Sequence, residues 1–420
     1  MRAHNVLVFL LYFSRAFVNI RVYNNPSKLV LQNACKNNDC INSCDCSCEC
    51  SSECCDDQIN NDYDYEYAKE YYQYLNEYNK FEDTEVNFLK SNKDDSKIDY
   101  AEFAKKRKDK YKTFETNLKL ISDYNQNDES CVLELNKFTD EVDISIIPND
   151  LMLMNEPLKH NKFSLERKIR AIAKFILNPF RHFNKYKHLP EKLIWDDTVL
   201  SEVKNQGNCG SCWAFSSTSA IESYMRINNY TVNRLSEQQL VDCSKENHGC
   251  GGGLMHLAFD YCIQNKGLVS NDDYSYVAQG QLCAIDCNNT CLPGNHSFNG
   301  EYYLNVIGSN ITGYEYILPR SVLDIMASLQ NGPIAIALDA SSFIFRFYKK
   351  GVIDIPSRMS EQINHAVLLT GYDRDENGTY WIIQNSWGKD WGDDGFVKLR
   401  ARDGDGVLLS QVYGVYPKYK

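Results

Sequence analysis

Apolar residues recur along this chain with two periods, and the change of period divides it. Between residues 100 and 125, Phe103, Tyr111, Phe114, Leu118 and Ile121 fall at helical spacing with Lys and Glu between them, which predicts an amphipathic helix. The stretch 133–140 (LELNKFTD) alternates like a short strand and ends polar. From Leu189 onward the chain reads as one compact unit whose first half is helical. Residues 212–228 (CWAFSSTSAIESYMRIN) place apolar side chains on one face, and Ser236 stands in capping position before EQQLVDC. The second half is strand-rich: 334–338, 366–372, 380–384 and 396–400 are short apolar runs separated by Gly, Asp and Asn. Helices first and strands second predict an α+β fold of two lobes, with a cleft between them as the place for a site. At the other end, Arg2, the apolar run 6–13 and the small residues Ser14 and Ala16 form a secretory signal pattern over 1–16, with an uncleaved anchor as the alternative. No other stretch is apolar enough to span a membrane, so no further span is expected.

Composition changes this picture in two places. The 420 residues carry 45 Lys and Arg against 56 Asp and Glu, a formal charge of −11, which argues against a nucleic-acid partner. Seventeen cysteines argue for an oxidising compartment, and eight of them crowd into residues 35–55. That segment reads as a solvated disulfide knot or a thiolate metal cluster. Residues 56–100 follow with 13 acids, 5 lysines and 8 tyrosines and no aliphatic period, which predicts a mobile or marginally helical linker. Residues 157–192 turn basic, and a break at Asn178-Pro179 precedes the compact unit, so this stretch is a candidate processing region. Five Asn-x-Ser/Thr sequons begin at Asn229, Asn288, Asn295, Asn310 and Asn377.

The sharpest local signal is 205–215, NQGNCGSCWAF. Gly207 and Gly210 permit a tight loop that turns into a helix, with Cys212 at the helix N-terminus. The dipole and free N–H groups there favour the nucleophilic thiolate. A buried or bridged cysteine, or a redox pair with Cys209, remains as an alternative at this point. A thiolate needs a proton partner, and His365 begins an apolar strand. Asn385, in the run QNSWG, can hold its imidazole if the two strands are neighbours, and Trp387 can then shield that bond. Gln206 can offer a side-chain N–H to a developing oxyanion, with the Cys212 backbone N–H as the second donor.

Together NQGNCGSCWAFS, GCGGG, NHAVLLTGYD and NSWG resemble the papain-like cysteine proteases of cathepsin L type, with weaker similarity to the falcipains. The resemblance covers about 189–420. It implies a two-lobed α+β fold with a helical left lobe, a β-barrel-like right lobe and the active site between them. It makes Cys212 the nucleophile, His365 the base and acid, Asn385 the orienter and Gln206 the oxyanion donor. Gly252 and Gly253 become the backbone that pairs with substrate, and Trp387 joins the substrate-binding set. Leu254, Met255, Ala337, Ile363 and Tyr413 become an apolar pocket for the residue two before the scissile bond. Cys209 is expected to pair with Cys250, and Cys243 with Cys283, leaving one further pair and one thiol among Cys262, Cys287 and Cys291. No metal or cofactor is implied.

The N-terminal part resembles the family's propeptide in 114–125 and 136–140, although Lys106 and Lys110 stand where Glu and Arg are usual. The organisation expected is a signal peptide (1–16), a Cys-rich, acidic tail and linker (17–99), an inhibitory propeptide with a basic linker (100–188) and a peptidase domain (189–420). The implied protein is a monomeric endopeptidase of the secretory pathway, active in a lysosome- or vacuole-like compartment or outside the cell. Its partners are protein or peptide substrates, its own propeptide and cystatin-type inhibitors. Rival readings are an exopeptidase or peptide ligase on the same fold, a silent binding protein, and an adhesive or metal-binding protein built on residues 35–55.

Overall fold

The computed structural model describes residues 65–81, 104, 107–128, 130–141, 186, 188–286, 296–298, 302–304, 311–317, 321–354, 364–402 and 415–419. All lie in the unit spanning Tyr63–Lys420. The leader, the cysteine-dense segment 35–55, most of the basic stretch, the sequons at Asn288, Asn295 and Asn310, Cys287, Cys291, Ile363 and Tyr413 fall outside the described residues. Among the described residues, no helix is long and apolar enough to cross a membrane.

Helix α1 (Tyr65–Glu77) lies inside the stretch that composition reads as a linker. Its tyrosines supply the burial that aliphatic residues usually provide. Tyr71 is fully buried, and its ring meets Phe114 at 5.0 Å and Tyr111 at 5.7 Å on helix α2 (Lys108–Asn127). Phenol rings bury most of their area while the hydroxyl seeks a partner, so a tyrosine-rich acidic segment can still build a packed helix. Residues 65–77 thus pack with α2 in one cluster, inside the stretch that composition reads as a linker.

Strand β1 is confined to Cys131–Leu133, with residues 137–140 in a turn. The alternation across 133–140 reflects a turn fixed by Asn136, whose Oδ1 accepts from the Phe138 N–H at 3.1 Å. β1 pairs antiparallel with β8 (Tyr348–Gly351), which ties the N-terminal segment to the compact unit by backbone. Gly351 makes this possible. A Cβ there would sit 2.6 Å from the Ser130 carbonyl oxygen, and its φ is +94°.

Among the described residues the compact unit has two large cores and a small cluster around Val269 and Tyr274. One gathers around helix α3 (Cys212–Ile227), helix α4 (Glu237–Cys243) and helix α5 (Met255–Gln264). Ser236 caps α4, accepting from the Gln239 N–H at 3.0 Å. The other core is built on the sheet. Its strands are β2 (Leu193–Ile194), β6 (Ile311–Tyr316), β7 (Ile334–Leu338), β9 (His365–Asp375), β10 (Gly378–Gln384), β11 (Phe396–Arg400) and β12 (Val415–Tyr419). The order is β11-β10-β9-β7-β12-β6, with β2 on β9. This path has two ends, so among the described residues the strands of the barrel-like lobe do not close into a full barrel. Disulfides join Cys209 to Cys250 and Cys243 to Cys283, bracing the helical lobe. Cys262 is a free, fully buried thiol on α5.

Beneath α3 lies a buried charge cluster. Lys204 Nζ donates to Glu222 at 2.9 Å, Glu237 at 2.6 Å and Thr218 at 3.1 Å, with both carboxylates fully enclosed. Glu222 also accepts from the Leu235 N–H at 2.7 Å. Burial pushes the Glu237 carboxyl up, but Lys204 and Arg234 outweigh it and hold the group below its ordinary range.

Candidate active site

Cys212 is the first residue of α3, after the loop 205–211. That loop is pinned from several sides. The Gln206 N–H donates to the Ser386 carbonyl at 2.9 Å, and the Ser386 hydroxyl donates to Gln206 Oε1 at 2.7 Å. Gln206 Nε2 spends one hydrogen on the Cys209 carbonyl at 2.9 Å. A reversed amide would set Oε1 against that carbonyl, so the network fixes the orientation and leaves the second Nε2 hydrogen for another acceptor.

His365 opens β9, and Asn385 follows β10, which pairs with β9. Strand neighbourhood thus brings the two side chains together: His365 Nε2 lies 2.7 Å from Asn385 Oδ1. The Ser386 N–H also donates to Oδ1 at 2.8 Å, which identifies that atom as oxygen. The imidazole hydrogen therefore sits on Nε2, and Nδ1 carries the lone pair. Nδ1 is buried with no hydrogen-bond partner among the described residues. Ala366, the next residue along β9, lies in one core cluster with Cys212, and its backbone is among the groups that lower the thiol's pKa. Trp387 lies over the imidazole, with centroids 4.9 Å apart and planes tilted by 33°.

Burial dominates the electrostatics. It pushes the Cys212 thiol up to about 11, although three backbone N–H groups pull the other way. It pushes His365 down to about 4, opposed by the bond to Asn385. The helix N-terminus, expected from sequence to favour a thiolate, is outweighed because both groups are fully covered. Both shifts favour the neutral thiol and the neutral imidazole in this covered arrangement.

The covering segment is visible on one side. Phe138 meets the Trp387 ring edge-on at 5.2 Å, and Lys137 Nζ donates to the Trp387 carbonyl and lies 3.6 Å from Asp390. Arg346, on the short helix α6 (Phe343–Arg346), donates to the Phe138 carbonyl at 2.7 Å and the Glu141 carbonyl at 2.8 Å. Asp140 accepts from Tyr74 on α1 at 2.9 Å and pairs with Lys80.

The apolar pocket residues split. Met255 and Ala337 are buried in the same core cluster as Cys212, with Leu254 packed against it, while Ile363 and Tyr413 fall outside the described residues. Gly252 has φ +107°, and a Cβ on Gly253 would meet Asn247 Oδ1 at 2.5 Å and Trp213 at 2.8 Å. Two features escaped the sequence reading. The Lys204 cluster was announced only by Glu222, the sole acid in a helix otherwise apolar or hydroxylated before Arg226. Tyr276, whose hydroxyl meets both the 205–211 loop and the start of α3, had no spacing signal at all.

Residues 189–414 match the family described as papain family cysteine protease. Procathepsin L of Felis catus is 36% identical over 304 residues, covering 70% of this chain and 81% of that one. A KDEL-tailed cysteine endopeptidase of Arabidopsis thaliana is 33% identical over 295 residues, covering 70% and 74%. Among solved structures, a digestive procathepsin L2 from the larval midgut of Tenebrio molitor superposes with a TM-score of 0.62 at 28% identity, covering 84% of this chain and 99% of that one. A recombinant stem bromelain precursor gives 0.60 at 26%, with coverages of 84% and 99%. Both are precursors, and here too a segment that precedes the catalytic unit, residues 131–141, packs on it. A cysteine at a helix start, an imidazole held by an asparagine on the neighbouring strand and these matches agree: the chain belongs to the papain family of cysteine proteases.

Proposed function

We propose that the chain is an autoinhibited zymogen of an endopeptidase acting through an acyl-enzyme on Cys212. The observation that carries this reading is the His365 imidazole, held by Asn385 at 2.7 Å with its Nδ1 unpartnered, on the residue before Ala366, which packs in one core cluster with Cys212. Once the cleft opens, the proton passes from sulfur to Nδ1 and the thiolate attacks a peptide carbonyl. The free Gln206 Nε2 hydrogen and the Cys212 N–H receive the oxyanion. His365 then protonates the leaving amine as the C–N bond breaks. Water, deprotonated by His365, releases the acid and breaks the C–S bond. Leu254, Met255 and Ala337, joined by Ile363 and Tyr413 on the family pattern, favour a hydrophobic side chain two residues before the cleaved bond. Gly252 and Gly253 offer backbone to the substrate strand.

The test is an irreversible epoxide inhibitor applied after acid activation, followed by peptide mass mapping. The label is expected on Cys212, on a chain beginning near Leu189. Cleavage of peptides blocked at both ends separates an endopeptidase from an exopeptidase. A label on Cys209, or none, refutes the mechanism.

The signal-like 1–16 and the acidic catalytic unit support a secretory route to an acidic compartment, with the propeptide as the enzyme's own inhibitor and cystatin-type proteins as external ones. His365 gives acid a lever. Its closed-state value near 4 lies below the ordinary 6.5, so between those pH values an opened chain takes up a proton that the closed one refuses. The stability of the closed form therefore falls as pH drops from about 6.5 towards 4. Melting of the zymogen against pH is expected to show this loss, and His365→Gln to reduce it. An equal loss in both proteins contradicts the assignment.

A further inference from the structure

The Tyr276 hydroxyl lies 2.7 Å from the Gln206 carbonyl oxygen and 2.6 Å from the Ser211 hydroxyl. A phenol has one hydrogen, and a carbonyl can only accept. The Tyr276 hydrogen therefore goes to Gln206, and Ser211 donates to the phenol oxygen. The result is a directed chain, Ser211 to Tyr276 to Gln206, in which each bond polarises the next. Its ends matter. Ser211 is the N-cap of α3, immediately before Cys212, and makes no side-chain capping bond of its own. Gln206 carries the side chain read above as the oxyanion donor. The ring is anchored edge-on against Phe215 on α3 at 4.8 Å. Burial raises the phenol to about 12, so it stays protonated and keeps donating at any pH where the enzyme works.

We propose that Tyr276 is a positioning residue for the oxyanion site: it fixes the separation between the Gln206 amide and the Cys212 N–H by tying the backbone of one to the cap of the other. Without it, Gln206 keeps its bonds to Ser386, across the cleft, but loses its direct tie to the helix that carries the nucleophile. The two donors then move with separate elements. A donor misplaced by a fraction of an ångström serves the transition state less while leaving substrate binding intact. This rests on the proposed roles of Gln206 and Cys212.

The test compares Tyr276→Phe, Gln206→Ala and the double variant, each made as the full chain and matured with pepsin so that processing does not depend on the variant's own activity. Tyr276→Phe is expected to lower kcat about three- to tenfold, roughly one hydrogen bond, with KM within about twofold. Affinity for a peptide aldehyde, which forms an oxyanion on Cys212, falls by the same factor. Alkylation of Cys212 by iodoacetamide, which needs no oxyanion, stays within about twofold of the parent. In the Gln206→Ala background Tyr276→Phe adds nothing. Ser211→Ala, which keeps the Tyr276 to Gln206 bond, gives a smaller loss and guards against a Tyr276 variant that folds poorly. An equal Tyr276→Phe loss in both backgrounds, or a matching fall in alkylation, overturns the proposal. Gln206→Ala lowering kcat while Tyr276→Phe does not overturns it alone. Gln206→Ala without effect overturns the oxyanion reading beneath it as well.

Discussion

Cys212→Ser is expected to reduce peptide hydrolysis by at least about 10⁴-fold, the scale seen when one member of a concerted catalytic group is removed. The substitution changes one atom and leaves the geometry intact. Serine, however, is a far weaker acid than a thiol, so an imidazole oriented only by an amide does not draw off its proton to make a comparable nucleophile. The protein should fold, keep both disulfides of the helical lobe and accumulate as the uncut precursor, because self-processing needs the same nucleophile. Active wild-type enzyme added in trans should still trim it. Fluorogenic peptide assays and gel analysis at acid pH check both halves. Residual hydrolysis within a hundredfold of the parent places the chemistry elsewhere.

Lys204→Met is expected to be the most destabilising single change in the catalytic unit. It removes the one cation bonded to both Glu222 and Glu237, which are completely enclosed and lie 2.9 and 2.6 Å from it. Breaking a buried pair costs about 3–5 kcal/mol, because a charge is left without compensation. For a domain of this size that lowers Tm by on the order of 10 °C. Arg234, 3.2 Å from Glu237 and partly exposed, cannot replace it from the rim. Lys204→Met with Glu237→Gln removes one charge of each sign and should recover part of the loss. A single variant melting within about 2 °C of the parent shows the cluster to be dispensable. Because Lys204 stands two residues before Gln206 and its carbonyl accepts from the Gly388 N–H at 3.0 Å, some activity should be lost with stability.

The sequence was most legible where chemistry and period coincide. Cys212 at a helix start and His365 opening a strand follow from local pattern. The meeting of His365 with Asn385 required the pairing of β9 with β10, which sequence could only pose as a condition. Other features resisted for physical reasons. Helix α1 escaped because half of its buried face is tyrosine, Tyr71 and Tyr74 beside Ala68 and Leu75, so it carries little aliphatic period among the surrounding acids. Lys204 looked like any solvated lysine, since its partners arrive from two separate helices. Tyr276 acts through a single hydroxyl 70 residues from Gln206, a contact that no periodicity records. The charge states of Cys212 and His365 depend on how completely they are covered, which belongs to the folded closed form and not to any motif.

The docking of residues 131–141 on the 343–351 segment also bears on how activation depends on dilution. While the chain is continuous, inhibitor and enzyme share one tether, and the inhibitor meets its surface at an effective concentration in the millimolar range. A single cut between residue 141 and Leu189 removes the tether while leaving the contacts of residues 131–141 in place. Occupancy then depends on the concentration of free propeptide. At high protein concentration the severed segment still finds its surface. On dilution, mass action alone strips it away, and on the autoinhibited reading proposed above the inhibition is then lost with no further chemistry.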